Sequence, residues 1–348
     1  MSARACVAAA ALIMLALGSE ALQNRDASGY RGARFGEVLG NDELARAGAL
    51  AFSADRRAQI RGAFNASFCS ECHFLPTAGG SQVLAGDFVI KRSAADRAAT
   101  FQRYVLVHGF PVRRRPPARR FVRIPPPLYG IGLLEAVSDA ELERVAADEA
   151  QRTPRHRGRI ARLRDARIGR FGWKATSPAV RAFVAGAFPG ELGVPAGDEA
   201  RDVAAITAFL QRLAAPPQAE RTGVAPGRAV FETLRCADCH RMGLALGRFA
   251  PEPQLSGTTI APYTDLLLHD MGARAAELRD GAATAREFRT APLWGVASTG
   301  PPYLHDGAAR SLREAIALHG GQAADSAAAF ARLSTREREA LLGYLTSL

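Results

Sequence analysis

Two five-residue stretches, Cys69-Ser-Glu-Cys72-His73 and Cys236-Ala-Asp-Cys239-His240, decide how this sequence folds. C-x-x-C-H is the signature of covalent c-type haem attachment. Two thiols one helical turn apart can add to the two vinyl groups of one porphyrin, and the adjacent histidine then lies beneath the ring as an iron ligand. The sequence therefore predicts two covalent haem c groups, attached through Cys69, Cys72, Cys236 and Cys239 and ligated by His73 and His240.

Two other uses of these cysteines fit less well. A four-cysteine zinc site normally has its C-x-x-C pairs about 15–20 residues apart, whereas 163 residues lie between Cys72 and Cys236. A thioredoxin-like redox centre needs only one C-x-x-C and gives no reason for a histidine after both copies. Covalent attachment would also consume the thiols, so dithiol chemistry ranks last among the functions considered.

The composition is that of a globular protein with room for two domains. In 348 residues, 48% are hydrophobic and 23% charged, values that exclude collagen-like, coiled-coil and wholly disordered chains. Lys and Arg exceed Asp and Glu by 45 to 34, giving a net charge of +11. Because no nucleic-acid recognition motif accompanies this charge, we expect it to attract a small, acidic redox protein as electron donor or acceptor.

The first 23 residues have the layout of a secretory signal. Arg4 precedes an apolar run from Ala5 to Leu17, and small residues follow it. That run is too short to span a bilayer in the mature protein, and no later stretch reaches the roughly 18 apolar residues that a transmembrane helix needs. The sequence predicts a signal peptide over 1–23, a periplasmic location and no membrane span in the mature chain; an uncleaved N-terminal anchor is the alternative.

The remainder is organised as a duplicated unit. A helical stretch precedes each cysteine motif, and each half closes with an amphipathic helix, one from Asp202 and one capped by Ser334 and Glu337. This is the plan of a small cytochrome c domain, predicted over 24–214 and again over 222–348. No strand-like alternation is sustained, so we expect a mainly α fold with long irregular loops, and the arginine-rich stretch 113–127 is interpreted as a surface loop.

Beyond the motifs, most of the chain from about residue 60 resembles the di-haem c-type oxidoreductases, a thiol-oxidoreductase-like family related to bacterial di-haem cytochrome c peroxidases and MauG. The matching segments are IPPPLYGIGLLEAV (124–137), GRFGWKATSP (169–178), APYTDLLLHDMG (261–272), EFRTAPLWGV (287–296), YLHDGAARSLREAIALHGG (303–321) and the closing LSTREREALLGYLTSL.

The resemblance implies an iron ligand for the second haem. Aligning Pro302-Tyr-Leu-His-Asp-Gly307 with the corresponding peroxidase segment places His319 where those enzymes carry a distal methionine. His319 would then complete a bis-histidine iron, with His269 and Met271 as rivals and His305 in a structural role. Met242 is too close to His240 in sequence to reach the other face of the same ring. No convincing distal ligand follows His73; His108 and His156 are expected at the surface.

The resemblance also implies catalytic residues and one further cofactor. Phe171-Gly-Trp173 is similar to the segment that carries a tryptophan between the two haems of the peroxidases. Phe188-Pro-Gly-Glu191 is similar to the segment that carries a carboxylate over the peroxide site, where Glu191 would act as acid and base. Trp173 as plain core and Glu191 as a surface charge are the alternatives. A calcium ion near Gly300 and Pro302 is a further expectation from the family.

Together these features predict an exported, peroxidase-like di-haem oxidoreductase. Electrons would pass from the C-terminal haem to peroxide or another oxidant at the N-terminal haem. A MauG-like oxidase that modifies a partner protein is a close variant. A non-enzymatic di-haem electron carrier is the alternative from another class, and a haem without a sixth ligand is the feature that would distinguish the enzyme from the carrier.

Overall fold

The computed structural model describes residues 36–81, 88–92, 98–118, 120–153, 155–195, 197, 200–216 and 223–348. The predicted signal peptide, and residues 217–222 at the boundary between the two predicted domains, lie outside these ranges. The longest helix in the described part of the chain has 14 residues, so none of the helices there could cross a membrane.

The helices and strands follow each other in chain order. The helices are α1 (Glu43–Phe52), α2 (Ile131–Ala136), α3 (Asp139–Arg152), α4 (Val180–Ala187), α5 (Ala200–Arg212), α6 (Ala225–Thr233), α7 (Val296–Thr299), α8 (Leu312–Ala317), α9 (Ala324–Ala331) and α10 (Thr335–Leu345). The strands are β1 (Ala63–Phe64), β2 (Phe88–Arg92), β3 (Ala98–Thr100), β4 (Tyr104–Val107), β5 (Phe110–Arg113), β6 (Phe121–Arg123), β7 (Ala161–Arg162), β8 (Ile168–Gly169), β9 (Leu244–Ala245), β10 (Thr259–Ile260), β11 (Leu268–Asp270) and β12 (Glu287–Arg289).

Two packed helix pairs organise the two halves of the molecule. In the first half, α1 and α5 cross at Gly48, where an added Cβ would lie 1.9 Å from the carbonyl oxygen of Ala205. In the second half, α6 and α10 cross at Gly227, where an added Cβ would lie 2.0 Å from the carbonyl oxygen of Ala340. Each pair therefore depends on a glycine that lets two helix backbones touch. This repeated contact is the structural counterpart of the duplicated sequence.

The helix ends agree with the capping signals in the sequence. Asp42 accepts hydrogen bonds from the backbone N–H groups of Leu44 and Ala45 at the start of α1. At the start of α10, Ser334 and Glu337 form the predicted reciprocal capping box. The helix predicted ahead of the first motif is shorter than expected, because α1 ends at Phe52 and the chain then makes a short 3-10 turn and strand β1.

Short antiparallel strands qualify the expectation of a mainly α fold. They form two three-stranded sheets, β1-β4-β5 and β3-β2-β6, and three two-stranded ones. The first has a hairpin that turns at His108 and Gly109, and the stretch 113–127 includes β6 rather than loop alone. Strands of two to five residues are too short to show a recognisable alternation, which is why the sequence pattern did not reveal them.

A buried lysine joins the two halves. Lys174 is fully buried, and its Nζ donates to three backbone carbonyls, those of Thr284 and Glu287 at 2.9 Å and that of Ala285 at 3.0 Å. The ammonium also lies 3.9 Å from the centre of the Phe288 ring. Since Lys174 belongs to the first half and all four partners to the second, this side chain fixes the two halves against each other.

Replacing this lysine should weaken the fold measurably. Lys174→Met keeps the apolar stem but leaves three buried carbonyls without a donor, so the free energy of unfolding should fall by roughly 2–5 kcal/mol. Urea denaturation followed by circular dichroism measures this. Arg162→Met, which breaks only the exposed pair with Glu143, is the control and should cost less than about 1 kcal/mol. An equal loss of unfolding free energy in the two variants would show that the buried contacts of Lys174 stabilise the fold no more than an exposed ion pair does.

Candidate haem-binding sites

Both cysteine motifs adopt the same local backbone. Cys69–Glu71 and Cys236–Asp238 are single 3-10 turns, and the second cysteine of each motif is the residue that ends the turn. The backbone N–H of the following histidine donates to the carbonyl of the first cysteine, at 3.1 Å in the first motif and 2.9 Å in the second. Such a turn places both thiols and the imidazole of one motif in a fixed relation.

Each motif histidine is oriented by a backbone carbonyl. His73 Nδ1 lies 3.1 Å from the carbonyl oxygen of Gly80, and His240 Nδ1 lies 3.0 Å from that of Tyr263. A carbonyl can only accept, so Nδ1 of His240 carries the proton and its Nε2 is left with a lone pair. The ring of His73 has a second backbone hydrogen bond, to Pro126. Burial lowers the pKa of both imidazoles to about 4, so both are neutral and able to ligate a metal at pH 7.

A second imidazole faces His240. The ring centres of His240 and His319 are 6.4 Å apart. His319 Nδ1 lies 2.7 Å from the carbonyl oxygen of Ala315, which leaves its Nε2 free as well. Two metal–nitrogen bonds of about 2 Å, with about 1 Å more from each Nε2 to its ring centre, span roughly 6 Å. The spacing and the donor set thus fit one iron bound between the two rings.

The rival ligands are engaged elsewhere. His269 Nε2 lies 2.7 Å from a carboxylate oxygen of Asp265, and its Nδ1 lies 3.6 Å from Cys239 Sγ, so both ring nitrogens are occupied. Met242 packs in the core of the second half and accepts a hydrogen bond from the Tyr344 hydroxyl. For Met271 the structure gives no contact with His240 among the described residues.

The other histidines divide between surface and interior. His108 is exposed, at the tip of the β4–β5 hairpin, where its φ of 51° suits a tight turn. The expected surface position of His156 is wrong, because this residue is only 5% exposed and its Nδ1 lies 2.7 Å from Asp238, inside the second cysteine motif. The two residues are 82 positions apart in the chain, so no local sequence pattern predicts their contact. Within the described residues, the only ring contact of His73 is with Phe52.

Glu191 lies beside the first cysteine motif. It belongs to a single π-helical turn, Phe188–Leu192, a form that occurs often at functional sites. The backbone N–H of Asn65 donates to the Glu191 carbonyl at 2.6 Å, and the Asn65 amide donates to the Glu191 carboxylate at 2.8 Å. Asn65 follows β1 and precedes the first motif by four residues, so this asparagine ties the carboxylate to the haem-binding turn.

The electrostatics agree with this position. Burial raises the pKa of the Cys72 thiol, and the negative charge of Glu191 raises it further, as expected for neighbouring groups. Burial also raises the pKa of Glu191 itself, although hydrogen bonds from Asn65 and Thr100 offset part of the effect. Taken over all its atoms, the residue is partly exposed, whereas the raised pKa reflects a carboxyl group that is itself well buried.

Trp173 lies at the junction of the two halves. Its indole N–H donates to the carbonyl of Ile124 at 2.7 Å, and its ring meets His305 edge-on with centres 6.4 Å apart. The backbone N–H of Ile124 in turn donates to the carbonyl of His305 at 2.8 Å. Trp294, in contrast, is buried in the main core, as a packing residue would be.

Sequence reasoning missed a buried polar cluster at the second motif. Among the described residues, Cys239, Asp265 and His269 are the only group of three potential metal ligands whose ligand atoms lie within 4.8 Å of one another. Cys239 is a predicted haem attachment point, which makes a separate metal ion here a poor fit. The signal lay in the segment 261–272, but nothing local indicated that its acidic and imidazole groups turn inward.

The calcium expectation finds no acidic ligands. Gly300 and Pro302 lie in a partly exposed turn, and within the described ranges no cluster of carboxylates lies beside them. A calcium ion there would have to be held by backbone carbonyls and water.

Comparisons with known proteins bear on these sites. Residues 195–348 match the family described as “Di-haem oxidoreductase, putative peroxidase”. No curated protein matches the chain. Among solved structures, Kuenenia stuttgartiensis hydrazine synthase is 15% identical over 90% of both chains, with a TM-score of 0.48. A MauG-like protein associated with microbial copper homeostasis is 17% identical, covers 93% of this chain and 95% of its own, and scores 0.38.

A third solved structure, the diheme peroxidase BthA from Burkholderia thailandensis, is 15% identical, with 80% of this chain and 72% of that chain covered and a TM-score of 0.40. Scores this low identify no common fold, so the family match carries the identification. The second cysteine motif, His319 and the helix pair α6–α10 all fall within the matched region. Residues 195–348 of this chain are thus similar to the di-haem oxidoreductase family, in agreement with the resemblance found in the sequence.

Proposed function

We propose that the protein is an exported di-haem c-type oxidoreductase of the peroxidase type. The observation that carries the proposal is the difference between the two motifs. His240 faces a second imidazole, that of His319, whereas the described surroundings of His73 offer a carboxyl group, Glu191, and no second imidazole. One site suits electron transfer, which needs a closed coordination sphere, and the other suits a reaction, which needs an open position and an acid–base group.

The proposed cofactors are two haem c groups, attached at Cys69 and Cys72 and at Cys236 and Cys239. When bound, the haems would supply the redox centres, with electrons passing from the C-terminal one to peroxide at the N-terminal one. His73 would hold the N-terminal iron, and His240 and His319 the C-terminal one. We also propose a calcium ion in the turn with Gly300 and Pro302, where it would have no role in the chemistry.

Glu191 would act as the general base and then the general acid of the reaction. As a carboxylate it takes a proton from one peroxide oxygen and then returns it to the other oxygen, which leaves as water. Asn65, through its amide, holds the carboxylate in place. Trp173 would lie on the electron route, because its hydrogen bond to Ile124 and its contact with His305 keep the indole between the two halves.

A spectrum of the holoprotein tests this function. Oxidised and half-reduced samples, with and without added peroxide, should show in EPR and optical absorption a high-spin haem that responds to peroxide, next to a low-spin haem that does not. Two low-spin haems that ignore peroxide in every state would move the protein to the class of electron carriers.

Replacing Glu191 should remove the acid–base step. Glu191→Gln keeps the shape and the hydrogen bond from Asn65 but cannot take a proton, so kcat/KM for peroxide should fall about 100- to 10,000-fold. Steady-state turnover measures this, with haem content compared first. The control is Glu135→Gln, a carboxylate of the first half that accepts from Val180 and Gln211. Equal activities of wild type and Glu191→Gln would contradict the proposed role.

The dependence of activity on pH should also report the protonation of Glu191. Burial raises the pKa of Glu191 above that of an ordinary glutamate. The side chain therefore stays protonated, and cannot act as a base, up to a higher pH than an ordinary glutamate would. Activity should therefore rise with pH as Glu191 loses its proton. In the residual activity of Glu191→Gln this acidic limb should be absent, and its persistence would assign the limb to another group.

His319 is tested through the second haem alone. In His319→Met a thioether replaces the distal imidazole, and since a thioether favours ferrous iron, the potential of the low-spin haem should rise. Potentiometry with EPR measures the potential and the change in the low-spin signal. His156→Met, a histidine of the first half that is also buried and that contacts Asp238 of the second motif, serves as the control. A low-spin signal and potential unchanged by His319→Met would remove His319 from the ligand set.

The electron-transfer partner is proposed to be a small acidic redox protein. Residues 98–134 contain seven arginines and no Asp or Glu, and the hairpin within them exposes Phe110 to 72%. We expect the rate of reduction by an acidic c-type cytochrome to fall as ionic strength rises. Arg115→Glu should slow it more than Arg336→Glu, which changes the net charge equally at another exposed site. A rate independent of salt would contradict an acidic partner.

A further inference from the structure

A buried cluster of ionisable groups lies against the second cysteine motif and has no part in the function proposed above. It consists of Glu149 from α3 and of Asp265 and His269 from the segment before and within β11. Glu149 and His269 are each 2% exposed, and Asp265 is fully buried. Charged groups are rarely buried together without a role in structure or chemistry.

The hydrogen bonds run from the motif towards α3. His269 Nδ1 lies 3.6 Å from Cys239 Sγ, and His269 Nε2 lies 2.7 Å from Asp265 Oδ2. Asp265 Oδ1 accepts from the backbone N–H of Leu267 at 2.8 Å. Glu149 Oε2 accepts from the backbone N–H of Gly158 at 2.8 Å, while no described residue donates to Glu149 Oε1. A buried carboxylate oxygen without a donor is costly when charged, and protonation removes that cost.

The charges that act on the cluster come from every element around it. Besides its own three members, the titratable groups nearby are the buried imidazole of His240 and the buried guanidinium of Arg289 from β12. Cys239 also lies beside the cluster, and its thiol would no longer titrate once it is attached to haem. Arg289 also ties the cluster to the junction, because its backbone N–H donates to the carbonyl of Trp173 at 2.8 Å. The cluster is thus placed between the second haem motif and the tryptophan.

We propose that the Glu149–Asp265 pair is a proton-binding site that takes up one proton when the C-terminal haem gains an electron. The inference rests on the proposed haem at Cys236 and Cys239. One electron arrives from the redox partner, one proton arrives from solvent, and the only bond formed is the O–H bond on a carboxylate oxygen. The electron adds one negative charge to a buried region, and the one proton restores the local charge.

The acid–base properties of the cluster support this assignment. Burial and the neighbouring charge of Asp265 raise the pKa of Glu149 to about 8. Burial opposes protonation of His269, yet the charge of Asp265 overcomes it and raises the pKa of His269 well above its usual value. Glu149, whose second carboxylate oxygen has no donor among the described residues, is therefore the group of the cluster that we expect to exchange a proton in the neutral to alkaline range.

The sign of the effect follows from linkage. An added electron makes proton loss from Glu149 harder, so the pKa is higher in the reduced protein than in the oxidised one. At pH values between these two pKa values, reduction of the haem is accompanied by the uptake of one proton. The midpoint potential of the C-terminal haem therefore falls as pH rises in this range. Below both values the site is protonated in either state, and the potential is insensitive to it.

Potentiometric titration of the low-spin haem from pH 6 to pH 10 tests the proposal. The wild type should show a level potential at low pH and a falling one at higher pH. In Glu149→Gln, which keeps an oxygen for the Gly158 N–H but cannot titrate, the fall should disappear. In Asp265→Asn the fall should begin at lower pH, because the charge that raises the pKa of Glu149 is gone.

Glu141→Gln on the same helix is the matched control. Glu141 is also buried, but a hydrogen bond from Arg144 lowers its pKa, so it stays charged throughout this range. The control should retain the wild-type pH dependence. A slope unchanged in Glu149→Gln, or lost equally in Glu141→Gln, would overturn the proposal. Haem is counted first by the pyridine haemochrome spectrum, and no peroxidase assay enters, so failure of the proposed enzymatic function would be seen separately.

Discussion

The orientation of three imidazoles by backbone carbonyls is the constraint on which the two sites depend. His73, His240 and His319 each have Nδ1 at hydrogen-bond distance from a carbonyl oxygen, and this contact orients each ring. A carbonyl cannot rotate away as a side chain can, because the surrounding chain fixes it. The ligand geometry is thereby built into the backbone of Gly80, Tyr263 and the last turn of α8 before any cofactor binds.

The two copies of the haem-binding unit have diverged around this common plan. Their helix pairs cross in the same way, at Gly48 and at Gly227, and their cysteine turns share one backbone form. The surroundings differ: the second motif has His156, His319 and a cluster of ionisable groups around it, whereas the first has the carboxyl of Glu191 beside it. The repeated plan places a C-x-x-C-H turn in each half, and the loops between the paired helices make the surroundings of the two turns unequal.

The sequence predicted those parts of the molecule whose causes are local. Spacing within C-x-x-C-H, apolar periodicity in α5 and α10 and the capping box at Ser334 all depend on residues a few positions apart, and each is found in the structure. The positions of Glu191 and His319 followed from resemblance, since their contacts lie beyond local pattern. His156 shows the limit. Its partner, Asp238, is 82 positions away, so an Arg-rich local context suggested the surface while the fold buried the ring.

Trp173 and Lys174 are neighbours in the chain, and both make contacts at the junction of the two halves. Trp173 bonds to Ile124, Lys174 bonds to three carbonyls across the junction, and Arg289 bonds back to the Trp173 carbonyl. Electron transfer between two haems requires that their separation and the group between them stay fixed, and a rigid junction meets both needs. The position of the Trp173 ring therefore depends on the contacts of Lys174, because a change that loosens the junction would also move the indole. Any variant at Trp173 should accordingly be compared with one at Lys174, where the junction changes and the indole does not.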